Sequence, residues 1–137
     1  MFLLDTMVIS EETKRIPHEL ATAWLRRTEP QRLFLSVASV AEIRRGISRQ
    51  KRLDPAFADR LEYWLRLTER QFGERLLAVD AAIAERWGEL WDQLGFNSPD
   101  LIIAATAWHH DLVVVTRNLW HFGNAGVRLL DPYRPLD

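Results

Sequence analysis

The chain has 137 residues, of which 47% are hydrophobic and 27% charged, and its formal net charge is −1. These values are typical of one soluble globular domain and exclude an intrinsically disordered chain. The absence of cysteine excludes disulfides, zinc–thiolate sites and thiol catalysis. No apolar run is long enough to cross a bilayer, and Asp5 comes too early for a signal peptide, so we expect a cytoplasmic protein with no membrane partner.

Short apolar runs alternate with helical patterns through the first half of the chain. The first run ends at Asp5 and is followed by helical patterns over residues 8–14 and 17–27. After a second run at 33–37, Ser39 is expected to cap a helix over 40–49. A long amphipathic helix is predicted from Asp54 to about Phe72.

The second half repeats this alternation. Apolar runs occur at residues 76–79, 112–115 and 127–130. Asp80 is predicted to cap a helix that ends at Gly95, and an apolar helix follows over residues 101–109. Short apolar strands separated by helices indicate a parallel sheet buried on both faces. The predicted fold is therefore a single-domain, three-layer α/β/α sandwich over residues 1–137, with a mostly parallel sheet of about five strands.

Three acidic residues lie where such a sheet carries function. Asp5 ends the first strand, Glu42 lies one turn into the helix after the second, and Asp100 lies in the first turn of the helix before the fourth. If these strands are neighbours, the three carboxylates converge at the carboxyl edge of the sheet. Converging carboxylates repel one another unless a cation neutralises them, and an all-oxygen cluster suits Mg²⁺ or Mn²⁺.

Each acid also has a simpler interpretation. Asp100 would favour the N-terminus of its helix by its charge alone. Glu42 would fit a solvated outer face of its helix, and Asp5 would fit the start of a turn. The sequence leaves these alternatives open.

Arginine and tryptophan are both abundant. Five cations fall within nine residues with no acid among them: Arg44, Arg45, Arg49, Lys51 and Arg52. This run could guide phosphates of a nucleic acid towards Glu42, or it could be a solvated helix face or pair with acids elsewhere. Most of the six tryptophans are expected in the core, one or two could anchor a partner helix, and Trp120 could stack on a base.

Four segments, in this order, resemble the PIN-domain ribonucleases of the VapC toxin type. They read LLDTMVISE at 3–11, LSVASVAEIRRG at 35–46, PDLIIAATA at 99–107 and VVTRNLWHF at 114–122. The resemblance implies a PIN-like fold and a Mg²⁺- or Mn²⁺-dependent endoribonuclease that cuts structured RNA such as tRNA or rRNA. It also implies a homodimer and a small cognate antitoxin as partner.

The resemblance places the acidic site at Asp5, Glu42 and Asp100, all three as metal ligands. Glu42 would bind a second metal or orient the attacking water. Thr6 and Thr116 are candidates for hydrogen bonds to the carboxylates or to a metal-bound water, although strand-end hydroxyls also commonly bond to backbone.

Two departures from the family pattern bear on catalysis. Met7 stands where the first motif usually has Asn, and neither Asn118 nor His121 supplies the acid that the last motif commonly carries. Asn118 could replace that acid through its carbonyl oxygen and His121 could contact phosphate, or Asn118 could cap a short helix and His121 could lie at the surface. The alternative function is a catalytically weakened PIN-like module that binds RNA or antitoxin.

Two other classes fit the sequence poorly. A receiver domain needs an acidic pair after the first strand and a lysine after the last, whereas here Asp5 stands alone and no lysine follows Lys51. An NTPase of the Walker type needs a glycine-rich phosphate loop, which is absent from the sequence.

Overall fold

A computed structural model describes residues 1–136 and contains one five-stranded, all-parallel sheet. The strands are β1 (Phe2–Leu4), β2 (Leu33–Ser36), β3 (Leu76–Leu77), β4 (Val113–Val115) and β5 (Leu129–Leu130). Their order across the sheet is β3-β2-β1-β4-β5. Because β1 is central, Leu3 pairs with Phe34 of β2 on one side and with Val114 of β4 on the other. The strands that end before Asp5 and before the helix of Glu42, and the strand that follows the helix of Asp100, are therefore neighbours.

Helices connect and cover these strands. They are α1 (Thr6–Ile9), α2 (Glu19–Arg27), α3 (Val37–Leu53), α4 (Pro55–Phe72), α5 (Ala81–Leu94), α6 (Pro99–His110) and α7 (Leu119–Phe122). Within residues 1–136 no helix is both long and apolar enough to span a membrane.

Successive residues of each strand point to opposite faces of the sheet, and each face has its own core. On one face Leu4, Leu35 and Val115 pack with side chains of α2, α3 and α4. On the other face Leu3 and Val114 pack with side chains of α5 and α6. This arrangement confirms the predicted three-layer sandwich, and burial on both faces explains why the strands lack an alternating pattern.

Helix boundaries follow the capping residues. Oδ1 of Asp54 accepts from the Phe57 N–H at 3.1 Å, Oδ1 of Asp80 accepts from the Ile83 N–H at 2.9 Å, and Gly95 ends α5 with a left-handed φ of 77°. The predicted Ser39 cap is wrong. Ser36 caps α3 instead, through a 3.0 Å bond from the Ala38 N–H, because the helix begins directly after the strand.

The expectation that most tryptophans lie in the core is also wrong. Within residues 1–136 Trp24 is buried, and Trp64 and Trp87 are partly buried against the two cores. The other three, Trp91, Trp108 and Trp120, are 49%, 51% and 85% exposed. Trp108 lies where α6 runs past the core, and the Arg86 guanidinium covers its ring at 4.7 Å. Tryptophan therefore belongs to the surface of this molecule as much as to its interior, because its ring packs against polar and charged neighbours as well as apolar ones.

Candidate active site

Asp5 is a buried carboxylate at the carboxyl end of the central strand. Its backbone is extended, and it occupies the N-cap of α1, where Oδ1 accepts from the Thr6 N–H at 2.8 Å. Oδ2 accepts from the Thr116 hydroxyl at 2.7 Å, just beyond the end of β4. With only 3% of its surface exposed, Asp5 is fixed in place by two neighbouring strand ends.

Glu42 approaches this edge from α3. The Thr6 hydroxyl lies 2.7 Å from Oε1 of Glu42 and 2.7 Å from the hydroxyl of the buried Ser39. Thr6 therefore contacts Asp5 through its backbone and Glu42 through its side chain. A single residue after β1 thus connects two of the three acids.

Asp100 approaches from the first turn of α6. Its Oδ2 lies 2.7 Å from Nδ1 of His121 on α7, and its side chain is 15% exposed. His121 is half exposed and directs its ring at the carboxylate. His121 thus contacts Asp100, a candidate metal ligand, and the sequence alone did not predict this contact.

Burial and mutual repulsion perturb two of these carboxylates. The pKa of Asp5 is raised from 3.8 to about 6, chiefly by burial, with the charges of Asp100 and Glu42 adding to the effect. Burial also raises the pKa of Glu42, and the charge of Asp100 contributes, while the Thr6 hydrogen bond and Arg45 oppose the rise. The three acids therefore lie within each other's electric field, as a cation-binding cluster requires.

The carboxylate oxygens of these residues are donors that suit a hard divalent cation, but they do not form a complete set of metal ligands. Within residues 1–136 no three Asp, Glu or His side chains already form a metal-ligand group. One oxygen of Asp5 is occupied by Thr116 and one of Asp100 by His121. Because a bound cation would favour the ionised form that burial and the charges of Asp100 and Glu42 disfavour, these oxygen donors are of the kind that suits a hard divalent cation.

Asn118 is close to the site through its backbone. Its N–H donates to the Thr116 hydroxyl oxygen at 2.9 Å, so Thr116 connects Asn118 to Asp5. Asn118 occupies the N-cap position of α7, but its side chain makes no capping hydrogen bond within the described residues. Its amide group is thus not engaged as a helix cap.

The basic run on α3 divides into two kinds of residue. The Arg44 guanidinium forms a two-pronged pair with Glu62 of α4, at 2.6 and 3.0 Å. A phosphate would therefore have to compete with Glu62 for the N–H donors of Arg44. Arg45 and Arg49 are exposed, and Arg45 is close enough for its charge to lower the pKa of Glu42.

The buried pair of Glu11 and Tyr133 near the site was not predicted from the sequence. Glu11 is 1% exposed, and it accepts from the Tyr133 hydroxyl at 2.6 Å and from the His18 N–H at 2.9 Å. These bonds and Lys14 hold the pKa of Glu11 below its usual range despite burial. A glutamate at the end of the first quoted segment was the only available signal, because its partner Tyr133 lies near the other end of the chain.

Comparison with known proteins identifies the family. The model of the PIN domain family matches residues 2–119. The chain belongs to the PIN domain family. It is 32% identical to the VapC ribonuclease Y4jK of Sinorhizobium fredii, covering 98% of this chain and 99% of the relative.

Solved structures agree with this assignment. The PIN domain resembles the crystal structure of FitAcB from Neisseria gonorrhoeae with a TM-score of 0.87 and 32% identity, covering 98% of this chain and 100% of the other. A member of the VapBC family of toxin-antitoxin systems from Mycobacterium tuberculosis, VapBC-5, has a TM-score of 0.58 and 26% identity, with coverage of 93% and 95%. The resemblance inferred from the four segments is thereby confirmed.

Proposed function

We propose that this PIN domain is a metal-dependent endoribonuclease, the toxin of a toxin–antitoxin pair, and that it cleaves structured RNA such as tRNA or rRNA. The observation that carries the proposal is the grouping of Asp5, Glu42 and Asp100 at one edge of the sheet, where burial, with a smaller addition from the charges of Asp100 and Glu42, raises the pKa of Asp5 to about 6. The names of the VapC ribonuclease relative and of the VapBC toxin-antitoxin structure support it. We place this activity in the cytoplasm, where such RNA occurs.

The three carboxylates would hold Mg²⁺ or Mn²⁺. When bound, the ion supplies Lewis acidity for hydrolysis of the phosphodiester. Thr116 and the Thr6 N–H fix the two oxygens of Asp5, so this ligand is ordered before substrate arrives. The Thr6 hydroxyl orients Glu42, the residue we assign to positioning the attacking water. His121 orients Asp100, and the side chain of Asn118 is available as a further oxygen ligand.

Exposed arginines of α3 would hold the RNA backbone. Arg45 and Arg49 lie on the helix that carries Glu42, and both are exposed. Phosphates attracted to this face would therefore lie close to the carboxylate edge, the edge of the sheet at which Asp5, Glu42 and Asp100 lie. Arg44 contributes less because Glu62 already binds it.

The antitoxin would occupy an apolar groove whose lining does not include Asp5, Glu42 or Asp100. A cavity of about 440 Å³ is lined by Ile9, Leu25, Leu33 and Phe72, with Arg26 and Arg75 among its polar residues. We propose that an apolar helix or strand of a small antitoxin fills it. No tryptophan lines this groove, so the proposed site does not use the tryptophan anchors expected from the sequence. We also propose that two copies of the chain form a homodimer, which light scattering would detect.

A catalytically weakened module that binds RNA or antitoxin is the second candidate. The observation in its favour is that His121, not a carboxylate, faces Asp100. Met7 adds to it, because its side chain is 37% exposed and a thioether is a poor hydrogen-bonding group beside Asp5.

Cleavage of total cellular RNA by the purified, antitoxin-free protein tests the proposal. Wild type and Asp5→Asn are incubated with Mg²⁺, with Mn²⁺ and with EDTA. We expect discrete bands that require the ion and that Asp5→Asn does not produce. Full activity of a folded Asp5→Asn variant would contradict the mechanism. No cleavage by folded wild type would favour the weakened module, and Met7→Asn would then show whether activity returns.

A further inference from the structure

Tyr133 is an aromatic ring fixed beside the site by the C-terminal segment. It is 7% exposed, its hydroxyl donates to the buried Glu11 at 2.6 Å, and its ring meets the edge of the His18 ring at a centroid distance of 4.8 Å. Glu11 is held in turn by the His18 N–H and by Lys14. The orientation of the Tyr133 ring is therefore determined by several buried contacts.

Arg117 lies over this ring. Its guanidinium carbon is 3.8 Å from the centroid of Tyr133, a distance typical of a cation–π pair. In the chain, Arg117 stands between Thr116, which donates to Asp5, and Asn118, which donates to Thr116. The backbone of Arg117 therefore lies next to the residues that contact Asp5, and its side chain contacts Tyr133 of the C-terminal segment.

The Arg117 guanidinium keeps its hydrogen-bonding capacity. Among residues 1–136 the Arg117 guanidinium has no hydrogen-bond acceptor and no ion-pair partner, and the residue is exposed. Arg44, in contrast, gives both prongs to Glu62. A cation–π contact supplies no acceptor oxygen, so the N–H donors of Arg117 remain available, and a guanidinium matches two oxygens of a phosphate.

We propose that Arg117 binds a backbone phosphate of the RNA next to the scissile bond, and that Tyr133 is the positioning residue that holds the guanidinium in place. The inference rests on the proposed function, because it assigns a contact to the RNA that the carboxylates would cleave. A pre-oriented arginine loses little freedom when it binds phosphate, which is the advantage of placing it on a rigid ring.

Binding of bulk tRNA in EDTA, followed across a salt series, tests this contact without cleavage. We expect Arg117→Ala to weaken binding roughly 10-fold and to reduce the salt slope by about 1, and Arg117→Lys to lie between it and wild type. Tyr133→Leu should weaken binding about 2- to 5-fold, whereas Tyr133→Phe, which keeps the ring, should bind nearly as well as wild type.

A double variant separates positioning from a general structural effect. If Tyr133 acts through Arg117, then Tyr133→Leu has no further effect on binding in an Arg117→Ala background. An equal effect in both backgrounds, or wild-type affinity and salt slope for Arg117→Ala, would overturn the proposal. Thermal unfolding of each variant verifies that it is folded.

Cleavage assays in Mg²⁺ or Mn²⁺ distinguish this inference from the proposed function. If wild type cleaves RNA and Arg117→Ala changes neither KM nor kcat, the arginine contact is wrong and the nuclease stands. If binding depends on Arg117 but folded wild type does not cleave, the contact stands and the nuclease is wrong. If wild type neither binds nor cleaves RNA, both are wrong.

Discussion

The Thr116 hydroxyl donates a 2.7 Å hydrogen bond to Oδ2 of Asp5, across 111 positions of sequence. The same hydroxyl oxygen accepts from the Asn118 N–H at 2.9 Å. Two neighbouring strands, β1 and β4, thus end in one hydrogen-bonded unit. The orientation of the most deeply buried acid of the site depends on a residue that is not itself acidic.

Replacing Thr116 with Val should therefore disturb both stability and activity. The change leaves Oδ2 of Asp5 and the Asn118 N–H without this partner, which costs about 1–3 kcal/mol of unfolding free energy. Urea denaturation measures that loss. Because the Thr116 bond opposes the rise of the Asp5 pKa, its removal should also move the acid limb of the pH–activity profile to higher pH.

Thr116→Ser is the matched control, since it keeps the hydroxyl and loses one methyl group. We expect its pH profile to stay close to that of wild type. A Thr116→Val protein with the stability and pH profile of Thr116→Ser would show that the hydroxyl does not support Asp5.

Asp5→Asn should be more stable than wild type in EDTA at pH 8. The pKa of Asp5 in the folded protein is about 6, against an ordinary value of 3.8, so folding favours the protonated form. The protonated Asp5 carboxyl therefore contributes to the free energy of unfolding in full below about pH 3.8, and this contribution is lost as the pH rises through about 6. The ionised group then costs about 3 kcal/mol at pH 8, which Asn avoids while it still accepts from the Thr6 N–H.

Chemical denaturation of both proteins at pH 8 and at pH 5 measures this difference. The stability gap should narrow at pH 5, where wild-type Asp5 is mostly protonated. The exposed Asp59 offers a control, because Asp59→Asn removes the same charge from the surface of α4. A difference in stability between the two proteins that does not change with pH would contradict the cost assigned to the ionised Asp5 carboxylate.

Divalent cations should stabilise the wild-type protein and not Asp5→Asn. An ion that binds the folded state alone raises the melting temperature by roughly 10 °C at 100 times its dissociation constant. Thermal unfolding with increasing Mg²⁺ or Mn²⁺ measures this shift, and Glu42→Gln should reduce it. Equal shifts in wild type and Asp5→Asn would place the binding of the ion elsewhere.

The exposed arginines of α3 should affect RNA binding and Arg44 should not. Reversing Arg45 and Arg49 to Glu is expected to weaken binding of tRNA in EDTA and to flatten its salt dependence. Arg44→Gln breaks a surface ion pair with Glu62, so it should cost less than about 1 kcal/mol of stability and leave the salt slope unchanged. The opposite ranking would assign Arg44 to the RNA.

Local patterns were sufficient for the framework of the fold. The patterns predict a helix that begins at Asp54 and a helix capped by Asp80, and the structure confirms both and shows that Asp54 is also a cap. The adjacency of the first, second and fourth strands was a conditional expectation from the character of a parallel sheet, and the observed order of strands satisfies it.

Contacts between distant segments were beyond the sequence. Nothing near Arg44 indicates that Glu62 on the next helix would bind it, and nothing near Asp100 indicates that His121 would reach it. The Ser39 cap was wrong because the strand continues directly into α3, so that Ser39 became a buried helical residue beside Thr6. Side-chain partners depend on the packing of whole elements, which a local pattern does not encode.

The central position of β1 has a consequence during protein synthesis. This strand is made first, but its neighbour β4, together with Asp100 and Thr116, is made only after most of the chain is complete. Asp5 and Glu42 therefore leave the ribosome long before the rest of the edge exists. For the nuclease we propose, an unfinished chain lacks the assembled site, so the RNA of the translating ribosome is not exposed to it until synthesis is nearly finished.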